Sequence, residues 1–449
     1  MVFFLPFSAT AVVNFDLGGT IQGYGLQPYQ LMTVLFLLRE GPKLLAGRND
    51  LKISHPLGLS LALLFIFVGI VVLSLIMPFI INGRISIMDY SLKQYVPHIF
   101  TAHHVTQTLL VIFGAVITAV TASFNNTTDR ILLTFRAYVL SGVFVGLWGF
   151  LQLIFYHLNI PYPDFIFNNS MSEAARNFGG VLEDVGMKRV SSVAVEPSIF
   201  AQFLLTVIPF ILYAIITRKK IISHAIDKLI LILLSTILLL STSTAGSVGF
   251  IVMCFLFLLL GLHFKLFNLR NAGILFALFT GWIYAYFISS AGNAYTRNYV
   301  LLKHTTGSGI ERISMFKASW DYFLQYPVLG VGWGSVDSSD LIAGLLANTG
   351  ILGLLAFVVF VFYIFLRLIK MLASSKPVDA FKPSNIHQWS TSLLVSLITL
   401  LFTNAVTGFA YVFGHFWFIL GMAIALLTIS SASLHYYSLF GEHMIKQRR

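Results

Sequence analysis

Three charged side chains in two polar segments of the chain could act together on an anion. Arg189 and Glu196 immediately precede one apolar run, and Arg312 lies in the second polar segment. Arginine suits phosphate because its planar donors bind two oxygens at once and its positive charge persists. A carboxylate beside such a pair could accept the proton of an attacking hydroxyl group. These residue types therefore indicate a site that binds a polyanion and accepts a proton.

Each of these residues also has a purely structural interpretation. Pro197 suits the first turn of a helix, so Glu196 could simply complement the dipole at that helix's N-terminus. An arginine at the mouth of a membrane helix often extends its guanidinium group to lipid headgroups. On spacing alone, both interpretations stay open.

The composition assigns the chain to the α-helical membrane proteins. Of its 449 residues, 57% are hydrophobic and only 10% are charged, more apolar surface than a soluble protein of this length could bury. The apolar runs are continuous rather than alternating, which favours helices over a β-barrel. We predict an all-α polytopic protein with about twelve spans, of which the first two are short. The spans are 2–15, 27–38, 56–81, 104–123, 131–158, 197–217, 229–241, 246–262, 272–290, 341–366, 391–408 and 411–432.

The distribution of charge predicts the orientation of these spans. If the N-terminus is cytoplasmic, the cytoplasmic loops and tails hold 19 of the 28 Lys and Arg residues but only six of the 17 acidic ones. An excess of Lys and Arg on the cytoplasmic side is the usual pattern in membrane proteins. The net charge of +11 therefore reflects topology, and no nucleic-acid partner is implied.

The chain reads as one transmembrane bundle over residues 1–449, with three longer polar connections. Two are predicted to be external, 161–196 and 291–340, and the larger is the candidate catalytic loop because polar loops on a rigid scaffold carry function. The third, 370–389, has the composition of a cytoplasmic linker.

The larger loop contains a predicted amphipathic helix. Ser308 and Glu311 fit a capping box, and apolar residues follow at helical spacing over Gly309–Leu324. Tyr326-Pro327 then ends the helix. Arg312 would lie in its first turn, where free backbone N–H groups already favour an anion.

Other motifs are weaker. His103 and His104 are adjacent and diverge on a helix, so we predict no metal site. The run Gly330–Gly334 lacks the context of a phosphate loop and is interpreted as a tight re-entry into the next span. Apart from Arg136, near a cytoplasmic helix end, no ionisable residue lies in mid-membrane, which argues against an ion-coupled transporter. Further candidate substrate-binding residues are Arg176, Lys188, Arg297, His304, Trp333, Asp337 and Asp340.

Taken in order, several motifs over about 181–357 resemble the O-antigen polymerase and ligase superfamily. They are Arg189 with Glu196-Pro197-Ser198-Ile199-Phe200-Ala201, the turn Ser241-Thr242-Ser243-Thr244-Ala245-Gly246, Arg312-Ile313-Ser314-Met315-Phe316-Lys317-Ala318-Ser319-Trp320, Tyr326-Pro327-Val328-Leu329-Gly330-Val331-Gly332-Trp333-Gly334, and Leu345-Leu346-Ala347-Asn348-Thr349-Gly350-Ile351-Leu352-Gly353.

The resemblance implies glycosyl transfer from a polyprenyl-diphosphate donor on the external face of the bacterial inner membrane, without metal or cofactor. It assigns Arg189 and Arg312 to the donor's diphosphate. It also implies lipid-linked oligosaccharide and membrane lipids as partners, with a chain-length regulator and a flippase in the same process.

Two positions depart from the family pattern. The tight turn has Ser243-Thr244 where the family commonly has Ser-Arg, and no histidine follows the glycine run until His387. Because the ligases place a histidine there, the expectation is a polymerase of surface-polysaccharide repeat units. Glu196 is the first candidate for the base and Asp337 the second. The alternatives are an O-antigen ligase and a lipid-linked oligosaccharide flippase.

Overall fold

The computed structural model describes residues 1–15, 24–45, 55–89, 94–171, 180–182, 186–264, 269–374, 385–407 and 410–446. Over these ranges the chain is mostly helical, and its strands form three short antiparallel pairs in the connections. They are β1 (Val13–Phe15) with β2 (Tyr24–Leu26), β3 (Ser86–Asp89) with β4 (Gln94–Pro97), and β5 (Val181–Leu182) with β6 (Met187–Lys188).

The helices follow one another along the whole described chain. They are α1 (Pro28–Leu45), α2 (His55–Ser74), α3 (Met77–Ile81), α4 (Ala102–Phe124), α5 (Thr128–His157), α6 (Asp164–Phe167), α7 (Pro197–Ile216), α8 (His224–Leu240), α9 (Thr244–His263), α10 (Leu269–Ile283), α11 (Ser290–Tyr295), α12 (Gly307–Gln325), α13 (Leu341–Ser374), α14 (Asn385–Thr407) and α15 (Gly414–Lys446). Single turns of 3₁₀ helix cover Val2–Phe4, Lys303–Thr305 and Ala410–Val412, and wider π turns cover Tyr284–Ile288 and Thr296–Leu301.

Within the described ranges, eight helices are long and apolar enough to cross a membrane, which confirms the all-α membrane class. The other four of the twelve predicted spans fall outside this set. The segment 2–15 forms a 3₁₀ turn and a strand, and α1 carries Arg39, Glu40 and Lys43. Helix α8 has 17 residues, and in α15 the described apolar stretch is Gly414–Ser430. A bilayer core needs about twenty apolar residues in a helix, so twelve spans stay a prediction.

Helix α7 is the buried centre of the bundle, and every one of its residues is shielded by neighbouring helices. Helix α14 packs along it, where the hydroxyl of Ser392 donates to the carbonyl of Pro209 (3.2 Å) and that of Ser396 to the carbonyl of Thr206 (3.0 Å). Such hydroxyl contacts join helices in lipid, where apolar surface alone provides little attraction. Because α7 begins directly after Glu196, this packing fixes one wall of the site.

Helix α13 is broken near its start by Gly350, whose φ of 63° and ψ of −164° are not helical. At the break, the N–H of Ile351 donates to the carbonyl of Pro327 at 2.8 Å. The segment after α12 is therefore joined to the gap in α13. The predicted linker 370–389 is shorter than expected, because α13 continues to Ser374 and α14 begins at Asn385; residues 375–384 between them lie outside the described ranges.

Candidate active site

A cavity of about 580 Å³ lies where the two predicted external segments meet the ends of the helices. Arg189, Glu196 and Arg312 all line it, although they come from widely separated parts of the sequence. The structure therefore brings together the three residues from which the sequence predicted a polyanion site.

Arg189 follows β6 and opens a buried stretch of chain that leads into α7. Its backbone N–H donates to the carbonyl of Gly180 (3.1 Å), and the N–H groups of Ser191 and Ser192 donate to the side-chain oxygen of Gln152 (3.1 and 3.0 Å). The backbone is thus held by the bundle. Among the residues that the structure describes, the buried Nε atom of Arg189 has no hydrogen-bond partner. A buried donor without a partner carries a free-energy cost that an anionic ligand would offset.

Glu196 occupies the N-cap position of α7, with Pro197 in the first turn as predicted. Its side chain makes no hydrogen bond to the backbone of that turn. It is exposed and lines the cavity, and the hydroxyl of Ser198 donates to its Oε2 at 2.9 Å. The carboxylate is therefore available to a ligand instead of being used as a helix cap.

Helix α12 confirms the predicted helix but not its predicted cap. The N-cap is Thr306, whose Oγ1 accepts from the N–H of Gly309 at 3.2 Å. The capping box at Ser308 is wrong because the Ser308 hydroxyl instead accepts a hydrogen bond from Lys303 Nζ at 2.8 Å. The helix ends at Gln325, directly before Tyr326-Pro327. Its apolar face is exposed, as at an interface with lipid; it includes Ile310, Ile313, Phe316, Trp320 and Leu324.

Arg312 is held at both ends. Its Nη1 donates to the carbonyl of Val406 at 3.2 Å, and its own carbonyl accepts from the hydroxyl of Ser339 at 3.2 Å. Burial and the nearby charge of Arg189 lower the pKa of Arg312, while Glu196 and Glu311 raise it. The guanidinium nevertheless stays charged near neutral pH, since an arginine does not lose its proton there. The charges of Arg189 and Glu196 are therefore close enough to act on the guanidinium group of Arg312.

Sequence reasoning missed Lys303, which also lines the cavity. Burial, followed by the charges of Arg312 and Arg189, lowers the pKa of Lys303 to about 8. No spacing rule marks this residue, because only the 3₁₀ turn Lys303–Thr305 brings it back to the start of α12. In the part of the chain that the structure describes, none of Arg189, Lys303 and Arg312 has a carboxylate oxygen within 4.0 Å.

The glycine run forms a tight re-entry, as interpreted from the sequence. Gly330, Gly332 and Gly334 all have positive φ, at 66°, 107° and 80°, which side-chain-bearing residues rarely adopt. The backbone N–H of Gly332 donates to the carbonyl of Asn348 (3.2 Å), and Asn348 Oδ1 accepts from the N–H of Ser335 (3.0 Å). This folding places Trp333 and the residues after it on the cavity wall.

The wall formed by this re-entry contains a second acidic group. Asp337 lines the cavity together with His103 from the start of α4. Burial raises the pKa of Asp337, while His103 lowers it and Asp89 raises it further. Trp333 is buried and packs edge-on against Tyr411, with ring centroids 4.7 Å apart. Within the described residues, no group of three or more His, Cys, Asp and Glu side chains is placed to hold a metal ion.

The remaining predicted substrate-binding residues lie elsewhere. Asp340 caps α13, because its Oδ1 accepts from the N–H of Ala343 at 2.6 Å. Arg297 and His304 are exposed and are not among the residues that line the cavity. Lys188 lies 5.9 Å from the ring centre of Tyr156, also outside the lining, and Arg176 falls outside the described ranges.

No protein-family model matches this chain, and no curated protein matches it.

Proposed function

We propose that the protein is a membrane-embedded glycosyltransferase that polymerises polyprenyl-diphosphate-linked oligosaccharide repeat units into a surface polysaccharide. The observation that carries this proposal is the meeting of Arg189, Lys303 and Arg312 on one cavity, without a carboxylate within 4.0 Å among the described residues. Partly buried cations are costly unless an anion accompanies them, so their clustering supports a polyanionic substrate. The resemblance of the surrounding motifs supports a polyprenyl diphosphate in particular.

The proposed step transfers the growing glycan from its lipid carrier to a second lipid-linked repeat unit. An acceptor hydroxyl oxygen forms a bond to the anomeric carbon of the donor's first sugar, and the bond from that carbon to the phosphate oxygen breaks. The electron pair of the broken bond stays on the diphosphate, and the hydroxyl proton passes to a carboxylate of the protein. The step needs no oxidant or co-reactant.

In this step the cations of the cavity would bind the diphosphate, and a carboxylate would accept the proton. The arginines would hold the diphosphate bidentately and stabilise the charge that develops on it. Glu196 and Asp337 both line the cavity, so either carboxylate could accept the proton. Burial raises the pKa of Asp337, so its carboxylate binds a proton more tightly than an exposed one does.

We place the cavity on the external face of the bacterial inner membrane. The support is the excess of Lys and Arg on the opposite loops, which orients membrane proteins during insertion. The exposed apolar face of α12 fits an interfacial position beside the cavity mouth.

One observation favours ligation as a second candidate function. The sequence lacks a histidine after the glycine run, but His103 from α4 lines the same cavity as Asp337 and the run itself. A histidine from another helix could serve where the ligases use one from the loop. Ligation would use the same donor but transfer its glycan to a different acceptor.

Purified protein in lipid nanodiscs, given synthetic lipid-linked repeat units, tests these alternatives. Lengthening of the glycan on its polyprenyl carrier is the result that the proposal expects. Release of polyprenyl diphosphate only after a lipid A-core acceptor is added would indicate a ligase instead. Movement of the lipid-linked unit across vesicles, without any lengthening, would overturn the enzyme proposal in favour of a flippase.

A further inference from the structure

The backbone of Lys303 is fixed by the cap of α12. Its carbonyl accepts a hydrogen bond from Thr306 Oγ1 (2.8 Å). Thr306 Oγ1 in turn accepts a hydrogen bond from the N–H of Gly309 (3.2 Å). A Cβ atom on Gly309 would lie only 1.7 Å from the carbonyl oxygen of Lys303, so the two backbones touch. The ammonium group, which donates to Ser308 Oγ, is consequently presented to the cavity from a rigid position.

The groups that surround this ammonium come from several elements. Arg189 follows β6, while Arg312 and Glu311 belong to α12 and Glu196 precedes α7. Asp337 and His103 line the same cavity, and the exposed His304 is the neighbour in sequence. The arginines dominate the charge felt by Lys303, since they are the charged groups that lower its pKa. An anion bound between the three cations would relieve this repulsion.

The charge on the proposed substrate changes during the reaction. A sugar-linked polyprenyl diphosphate is esterified at both ends and carries one negative charge on each phosphate. After the glycosyl bond breaks, the terminal phosphate keeps only its anhydride bond, and with a second pKa of about 6, as in a phosphate monoester, it gives the lipid a third negative charge at neutral pH. Two arginines match the charge of the donor, and a third cation matches the charge that develops. Interactions that strengthen only as the bond breaks are the ones that accelerate it.

We propose that Lys303 is a further catalytic residue whose ammonium group binds the terminal phosphate of the leaving polyprenyl diphosphate. This inference rests on the proposed function. Lysine suits the task because its compact ammonium has three rotatable donors, so it can hold Ser308 and still reach a phosphate oxygen. Lys303 would therefore bind the free diphosphate leaving group more tightly than the sugar-linked donor.

The experiment compares two lipids that differ in this one charge. Full-length protein in nanodiscs is titrated with undecaprenyl diphosphate and with undecaprenyl diphosphate esterified by a single N-acetylglucosamine. Lys303→Met should weaken binding of the free diphosphate about tenfold or more, since a charged hydrogen bond is lost. It should leave binding of the sugar-linked lipid nearly unchanged. Lys303→Arg should restore the preference, and Lys317→Met is the matched control, because Lys317 is exposed on α12 and is not among the cavity-lining residues.

A pH series adds a readout that a merely structural role would not move. Raising the pH from about 7 to about 9.5 removes the proton of Lys303 in the free protein, so wild-type affinity for undecaprenyl diphosphate should fall. The Lys303→Met variant should not show this fall.

The possible failures are distinguishable. Equal binding of undecaprenyl diphosphate by wild type and Lys303→Met would overturn the role of Lys303, even if Arg189 and Arg312 variants lose both lipids. An equal loss of both lipids in Lys303→Met would do the same, because it removes the selectivity for the leaving group. If wild-type protein binds neither lipid, the proposed function fails together with this inference.

Discussion

The guanidinium group of Arg312 donates a hydrogen bond to the carbonyl of Val406, 3.2 Å away in the last turn of α14. Carbonyls at the end of a helix lack partners within the helix, so this bond both satisfies Val406 and ties α12 to the bundle. A guanidinium group has five N–H donors, so most of them remain for a ligand. Arg312 therefore holds α12 against the bundle and still has donors for the ligand proposed in the cavity.

Replacing either arginine of the cavity with lysine should impair polymerisation without unfolding the protein. Arg189→Lys and Arg312→Lys keep the positive charge but lose the planar pair of donors, which we expect to cost roughly ten- to a hundredfold in rate. The rate of glycan lengthening in nanodiscs measures this. Arg297→Lys is the control, since Arg297 is exposed and outside the cavity lining. Full-length polymer from both lysine variants would contradict diphosphate binding by this pair.

The two candidate bases should separate in their pH profiles. Because burial raises the pKa of Asp337, a reaction that uses its deprotonated form should lose rate as the pH falls through that raised pKa. Asp337→Asn should then remove about 10²–10⁴-fold of the rate and abolish this acidic limb. If Glu196 is the base, Glu196→Gln causes the loss of rate instead, and Asp337→Asn leaves the rate nearly unchanged. An unchanged rate in both variants would exclude Glu196 and Asp337 as the base.

Gly350→Ala should destabilise the protein strongly. The φ and ψ of Gly350 lie in a region that is essentially restricted to glycine, and an added Cβ would lie 2.3 Å from the carbonyl of Val328. We expect a loss of about 1–3 kcal/mol from backbone strain alone, seen as a lower melting temperature in detergent. Gly69→Ala in α2 serves as the control, because nothing lies within 4 Å of its added Cβ. Equal melting temperatures for the two variants would refute the broken helix.

The orientation of the protein can be tested with single cysteines. In a background where the buried Cys254 is replaced by alanine, Arg297→Cys should react with an impermeant reagent added outside the cell. Lys220→Cys should react only after the membrane is opened, because basic loops stay cytoplasmic. Both positions are exposed on the protein surface, so access depends on the membrane alone. Labelling in the reverse order would overturn the topology and the external site.

The sequence predicted those features that depend on local rules. Apolar runs predicted most of the helices, and the Tyr326-Pro327 pair predicted the end of α12. The sequence also identified Arg189, Glu196 and Arg312 as candidate site residues, and the fold brings them to one cavity. Local rules succeed here because burial in lipid and proline chemistry act over a few residues.

The errors arise where contacts between distant residues decide the structure. Thr306 rather than Ser308 caps α12, because the Ser308 hydroxyl is taken by Lys303. Lys303 and His103 join the cavity through folding that no spacing reveals. Asp340, a candidate substrate-binding residue, caps α13. In each case, a residue with several possible partners is assigned to one of them only by the tertiary structure.

The most direct test of the central claim is an experimental structure of the full-length protein in nanodiscs with undecaprenyl diphosphate. We expect diphosphate density in the cavity between Arg189 and Arg312, with each guanidinium group about 3 Å from a phosphate oxygen. The polyprenyl chain should leave the cavity between helices toward the lipid. A diphosphate bound at another place, with both arginines free of it, would contradict the account.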